Sequence, residues 1–247
     1  MKKHLLALLA LAPALLCATP APSGGTLAIP PNAIGTLREV TSVKCGSLSR
    51  VKADGQPFSE ALRCEVTDHP AHARDIQFPV RTARKIEKGE VRWARFYART
   101  LAAATESGEG SVRAIFEKAG PPHDKSLDGE LTLGRQWQEY FLPFKSLNTY
   151  EAGKASAGVH LGSQVQAVEI ADFELYAFGA GYDMARLPRT RITYAGQAAD
   201  APWRADAEAR IEKIRKAELT VAVTDAAGRP VPGAQVAVAM KRHAFGW

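Results

Sequence analysis

From Leu37 to about Gly181 the chain is a succession of short segments in which apolar and polar residues alternate, separated by tight-turn residues. That period of two constrains the fold more than any other feature. Candidate strands cover Glu39–Val43, Ala61–Thr67, Arg74–Pro79, Val91–Thr100, Ser111–Ala119, Gly129–Leu133, Gln136–Pro143, Ser156–Leu161, Val165–Ile170 and Asp172–Phe178. Turns at Ala53-Asp-Gly, Glu87-Lys-Gly-Glu90 and Ala119-Gly-Pro-Pro punctuate them. No long amphipathic helix interrupts the series, and no internal repeat is visible. Strands at this spacing predict a mainly β protein, a β-sandwich. In Val91–Thr100, Trp93, Arg95, Tyr97 and Arg99 share one face. Ala94, Phe96 and Ala98 share the other, a small-aromatic-small pattern suited to a packed core.

The pattern changes near residue 200. Asp200 can cap a helix with Pro202 in its first turn. Trp203, Ala207, Ile211 and Ile214 then form one apolar stripe, with Arg204, Glu208, Glu212 and Arg215 off it. The helix is expected to end near Lys216. Leu219–Thr224 alternates as a strand, Asp225-Ala-Ala-Gly-Arg-Pro is a turn, and Ala234–Met240 is a second strand. A helix and one hairpin cannot bury a core by themselves.

The N-terminus reads as a targeting leader. Lys2, Lys3 and His4 precede a short apolar run, Leu5 to Leu16, and small residues follow. Residues 1–20 are expected to be a signal peptide cleaved after Ala18 or Ala21, and the protein to be exported, periplasmic or secreted. Cys17 raises a lipoprotein alternative, but Leu15-Leu16 lack the small residue that such a site wants. Nothing later in the chain is long and apolar enough for a membrane span. Export leaves Cys45 and Cys64, an even pair in an oxidising compartment, and predicts a disulfide stabilising by about 3 kcal/mol. Two buried free thiols are the alternative. Neither cysteine has a Cys or His neighbour at metal-ligand spacing.

The formal charge is +6 with both signs interspersed, and no basic stripe marks a nucleic-acid surface. The histidines show no nucleophile–base constellation. His69-Pro-Ala-His72 lacks a third ligand nearby and reads as a solvated loop. There is no G-x-S-x-G elbow and no Gly-rich phosphate loop.

The run RIEKIRKAELTVAVTDAAGRPVPGAQVAVAMKRHAFGW resembles the segment that leads into the catalytic barrel of glycoside hydrolase family 10 endo-1,4-β-xylanases. The matching features are an IRK helix, a V-x-D-x-x-G-x-P-V-x-G-A hairpin and a His-x-Phe-Gly-Trp end. The resemblance covers roughly residues 192–247. Asp-x-x-Gly-x-Pro-Val-x-Gly-Ala also opens many immunoglobulin-like domains, so the first hairpin of another sandwich stands beside it. QPFSEALRCEV (56–66), IEKGEVRWARFYAR (86–99), WQEYFLPF (137–144) and VQAVEIADFELYAFG (165–179) resemble, in that order, the jelly-roll carbohydrate-binding modules found ahead of such barrels. Cys45 and Cys64 are not part of that general pattern.

The resemblance implies a jelly-roll module at about 35–180, a linker at 181–199, and a helix-plus-hairpin lead-in at 200–247. The catalytic (β/α)8 barrel is expected beyond Trp247. Retaining glycosidases need two carboxylates on a rigid frame. The Asn-Glu and Thr-Glu-x-Asp motifs that carry them in this family have no counterpart here. The expectation is a non-catalytic, monomeric front end that holds a polysaccharide such as xylan. A fragment of an active xylanase and a structural or protein-binding sandwich are the alternatives.

Sugars offer apolar ring faces and many hydroxyls, so aromatic faces and planar polar groups suit them. The Trp93-Arg95-Tyr97-Arg99 face admits two readings, a binding platform or an outer sheet face whose arginine stems cover the rings. Trp137, with Glu139 on its face, and Tyr140, with Gln138, are further candidates, although a core role also suits Trp137. Gln166, Glu169 and Tyr176 read equally as plain surface. No cofactor or metal is expected. A structural calcium is common in jelly rolls of this kind, and Asp172 is a single carboxylate available for it.

Overall fold

The computed structural model describes residues 18–35, 42–43, 45–191, 196–197, 199–239 and 241. The leader through Cys17, most of the Glu39–Val43 segment, Met240 and the run from His243 to Trp247 lie outside them. The chain divides into two units, Met1–Ala201 and Pro202–Trp247.

Among the described residues the first unit has eleven strands: β1 (Thr26–Leu27), β2 (Ser42–Val43), β3 (Gly46–Lys52), β4 (Glu60–Val66), β5 (Gln77–Arg81), β6 (Val91–Ala103), β7 (Gly110–Lys118), β8 (Lys125–Leu133), β9 (Gln138–Lys145), β10 (Ala155–His160) and β11 (Gln166–Gly179). A seven-stranded sheet runs β2-β3-β4-β11-β6-β9, with β1 continuing along β11 where β4 stops. A four-stranded sheet runs β5-β10-β7-β8, and all pairings in both are antiparallel. The result is the expected β-sandwich.

One core fills the space between the sheets, and the period of two supplies it. Leu62, Cys64 and Val66 of β4, Ala94, Phe96 and Ala98 of β6, and Tyr140, Leu142 and Phe144 of β9 point inward. Val112, Ala114 and Phe116 meet them from the smaller sheet. Phe96 stacks on Tyr140 with centroids 5.6 Å apart, and Phe78 meets Phe173 edge-on at 5.6 Å. Gly158 on β10 is obligatory, because a Cβ there would lie 1.9 Å from the Phe78 carbonyl oxygen of β5.

The sequence pattern breaks at Ala171 and predicts two strands; the structure has one strand with a bulge. Register slips between Ala171 and Glu174, and Asp172 adopts φ +50°. Val168 and Ile170 face inward before the bulge, and Phe173, Leu175 and Ala177 after it. Other boundaries moved less. The Arg74–Pro79 segment opens as a 3-10 turn, Ala73–Asp75, in which Asp75 accepts the His72 N–H, and the strand begins at Gln77. Strand β3, GSLSRVK, has no apolar alternation strong enough to stand out.

Two expectations are corrected here. Cys45 and Cys64 are free, buried thiols. The Cys45 carbonyl takes the Thr67 N–H, which places Cys45 beside a residue three positions along from Cys64. Three strand residues span about 10 Å, beyond the roughly 7 Å that a disulfide tolerates between Cα atoms. The linker expected from 181 begins later, since Tyr182, Met184 and buried Leu187 pack on the sandwich. Thr190 is tied to β9 by hydrogen bonds to Phe141 in both directions.

In the second unit, α1 (Trp203–Arg215) has Pro202, not Asp200, at its N-cap position, with no side-chain cap hydrogen bond, and buries no residue. Its Ile211 and Ile214 are exposed. The Asp225 turn forms: its carboxylate accepts the Ala227 and Arg229 amides and the Arg229 Nε–H. Among the described residues the two flanking strands do not; an isolated bridge, Thr224 to Pro230, joins them. A lone two-stranded ribbon is marginal.

Candidate carbohydrate-binding face

The Trp93-Arg95-Tyr97-Arg99 edge of β6 lies on the outer face of the seven-stranded sheet. Ala61 and Arg63 of β4, Glu169, Ala171 and Glu174 of β11, and Glu139 and Phe141 of β9 complete that face through the ladder registers. It divides into three zones.

At one end Trp93 is fully buried. Its ring stacks on Phe141 at 5.3 Å, nearly parallel, and leans on Tyr176 at 5.9 Å. Its indole N–H donates to the Pro188 carbonyl at 2.9 Å. The 182–190 segment therefore covers Trp93, and a ring so covered offers no face to a sugar.

In the middle, Arg95 sits among three carboxylates. Its Nε and Nη2 hold Glu174 at 2.8 and 2.5 Å, Asp172 lies 3.9 Å from Nη2, and Glu139 lies 3.6 Å from Nη1. The Tyr176 hydroxyl donates to Glu174 at 3.1 Å. Burial and then Glu174 raise the Asp172 carboxyl above its usual value. Burial and then Glu139 raise the Tyr97 hydroxyl. Yet Tyr97 Oη and Glu139 Oε1 are both buried without a hydrogen bond of acceptable geometry. Thr19 closes this zone: its hydroxyl donates to Glu139 Oε2 at 2.6 Å, and its carbonyl accepts from Arg95 Nη1. Asp172, considered for calcium, has a guanidinium as its nearest cation. Among the described residues no group of three His, Cys, Asp or Glu side chains is arranged to hold a metal.

At the far end Glu169, only 1% exposed, is gripped from both sides. Arg63 donates to its Oε1 through Nε and Nη2 at 2.9 and 2.7 Å. Arg99 holds its Oε2 through Nε and Nη2, each at 2.7 Å. The Arg99 guanidinium lies 4.7 Å from the Trp137 ring centroid. Phe58, half-buried, meets Trp137 edge-on at 4.9 Å and Tyr97 at 5.0 Å. A cleft of about 780 Å³ runs from Phe58 along the 52–60 loop to residues 32–34 and Asp172.

Of the residues singled out in the sequence, Arg99 and Trp137 come together here. Trp93 and Tyr97 share the face but are sealed, and Trp137, 7% exposed, lies in the same buried cluster as Tyr97, which fits its core reading. Tyr140 is corrected to a core residue: it faces between the sheets, stacks on Phe96 and donates its hydroxyl to the Thr132 carbonyl. Glu169, read as surface, is a buried anchor. Gln166, also read as surface, ties the two sheets by bonding the Ser111 amide and carbonyl. Arg63 and Phe58 were missed, because the partners that define them, Glu169 and Trp137, are distant in sequence.

No family model and no curated protein matches the chain. Solved structures similar to it include a carbohydrate-binding module described under "CBM4 structure and function", 13% identical over 56% of this chain and 77% of that one, with a TM-score of 0.40. The CBM22-1 xylan-binding domain of Paenibacillus barcinonensis Xyn10C is 12% identical over 64% of this chain and 98% of that one, at 0.41. A Bacteroides thetaiotaomicron protein described as sugar binding is 9% identical over 63% and 95%, at 0.43. Likeness this distant assigns no residue a role. Among the described residues no helix is long and apolar enough to cross a membrane.

Proposed function

We propose that the chain is an exported, non-catalytic module that binds a neutral polysaccharide, xylan being the first candidate. The observation that carries this reading is the Arg63–Glu169–Arg99 clasp beside Trp137 and Phe58. Glu169 fixes two planar guanidinium forks on a rigid sheet, each about a third exposed (36% and 33%). Neither spends its Nη1 among the described residues, so each has N–H groups for adjacent sugar hydroxyls. Phe58 adds a partly exposed ring against which an apolar sugar face can lie. The cleft of about 780 Å³ along the 52–60 loop opens beside the same Phe58 ring. The resemblance of residues 192–247 to a family 10 lead-in supports a place ahead of a xylanase barrel, with the module holding substrate near it.

The test is depletion by insoluble xylan, followed by titration with soluble xylo-oligosaccharides. Phe58→Ala should weaken binding about five- to tenfold, the loss of roughly 1–1.5 kcal/mol of ring contact. Its melting point should fall by only a few degrees. Wild-type protein that stays in the supernatant with xylan, cellulose and mannan alike sinks the sugar-binding reading and favours a structural sandwich. The intact mass of the product in its native cells reports whether a barrel is attached.

A further inference from the structure

We propose that Thr19 is the first residue of the mature protein, and that its α-ammonium docks in the Arg95–Glu139 pocket as a built-in counter-ion. The pocket has an unbalanced charge. Among the described residues Glu139, Asp172 and Glu174 face a single guanidinium, Arg95, and the Glu139 side chain is only 9% exposed. Glu139 Oε1 and Tyr97 Oη, on side chains that are nine-tenths or more buried, have only each other and the 3.6 Å ion pair with Arg95, so the carboxylate keeps spare acceptor capacity. A buried carboxylate in this state calls for a cation with several donors.

Thr19 is already in position to supply one. Its backbone nitrogen lies 3.4 Å from Glu139 Oε2, while its hydroxyl donates to the same oxygen at 2.6 Å and its carbonyl takes Arg95 Nη1. Pro20 biases Thr19 toward extended backbone. Ala18 is exposed. The leader pattern places a cleavage point directly after it. Hydrolysis by a signal peptidase adds one water across the Ala18–Thr19 bond. The hydroxyl goes to the Ala18 carbonyl, which leaves as a carboxylate, and the Thr19 nitrogen becomes an amine that is protonated at neutral pH. One amide N–H is thereby replaced by three N–H donors and a positive charge next to Glu139. The inference does not depend on sugar binding.

The experiment compares two forms of the full mature chain, one beginning at Thr19 and one carrying Met-Ala18 ahead of it. N-terminal sequencing of the exported protein should give Thr-Pro-Ala-Pro. In the Thr19 form the α-amine should titrate about one unit above the usual 7.7–8.0. Its acylation at pH 7 should be about eightfold slower than that of an unstructured peptide of the same sequence. The extended form should melt several degrees lower with Glu139 intact, and Glu139→Gln should erase the slow acylation in the Thr19 form. Processing at Ala21, which would remove Thr19, overturns the proposal. So does an α-amine with ordinary reactivity, or equal melting points for the two forms.

Discussion

Arg99 lies over the ring of Trp137 with its guanidinium 4.7 Å from the centroid, while the same guanidinium holds Glu169. One side chain thus joins the aromatic and the charged halves of the candidate face. The geometry fixes an order of importance. Glu169 is the buried member, and the two arginines that satisfy it are a third exposed. Removing either arginine leaves the carboxylate with one fork; removing the carboxylate leaves two like charges side by side.

Glu169→Ala should therefore destabilise the sandwich more than Arg63→Ala. The expected losses are about 2–3 and about 1 kcal/mol, after allowance for the exposure of the arginines. Urea unfolding of both variants checks this. Equal losses would mean that the clasp contributes little beyond packing.

The cysteines give a sharp test. Burial pushes the Cys64 thiol up to about 12, Glu65 adding to it, so thiolate is scarce at neutral pH. Native protein is expected to resist alkylation at Cys64, and protein unfolded without reductant to label at both Cys45 and Cys64. Reductant should leave the melting point unchanged. A drop of several degrees with reductant would show that a bridge exists after all.

The sandwich was legible in the sequence because its signal is local. Alternation along Val91–Thr100 names the inward face, Ala94-Phe96-Ala98, without knowledge of any other strand. Even the bulge left a trace, as the slip of period at Ala171. The site was only half legible. Trp93 and Arg99 occupy equivalent places in the alternation, and what separates them is tertiary. Pro188, 95 residues further along, and Leu187 return to seal one, while Glu169 and Arg63 arrive beside the other. Periodicity assigns a face; it does not say what covers that face. Cys45 and Cys64 illustrate the same limit, since parity suggests a bridge and only register shows that the thiols are too far apart.

Asp172 should impose a pH dependence. Its native carboxyl is raised above the unfolded 3.8 by burial, then by Glu174, with Arg95 opposing. Between those two values the native state binds more protons than the unfolded one, so this group lowers stability as pH rises through the window. Asp172→Asn removes that loss, and Asn tolerates the positive φ at the bulge. The variant should gain on the wild type in going from pH 3.5 to pH 7 in parallel denaturation curves. A relative loss would mean that the contact with Arg95 outweighs burial.

Trp93 should matter as a clamp for the 182–190 segment. Trp93→Phe keeps a ring on Phe141 but deletes the 2.9 Å bond from the indole to the Pro188 carbonyl. The lost bond is worth about 1 kcal/mol, and the segment would still be held by the paired Thr190–Phe141 hydrogen bonds and by Leu187. The fold should therefore survive, with the cost falling on local opening. Hydrogen exchange at the Thr190 amide should accelerate about fivefold while the β6 amides, which open only with the whole sandwich, change far less. Uniform acceleration across both would show that the segment is an integral part of the sandwich rather than a cover laid over Trp93. In that case residues 182–190 would unfold only together with the sheets they lie on.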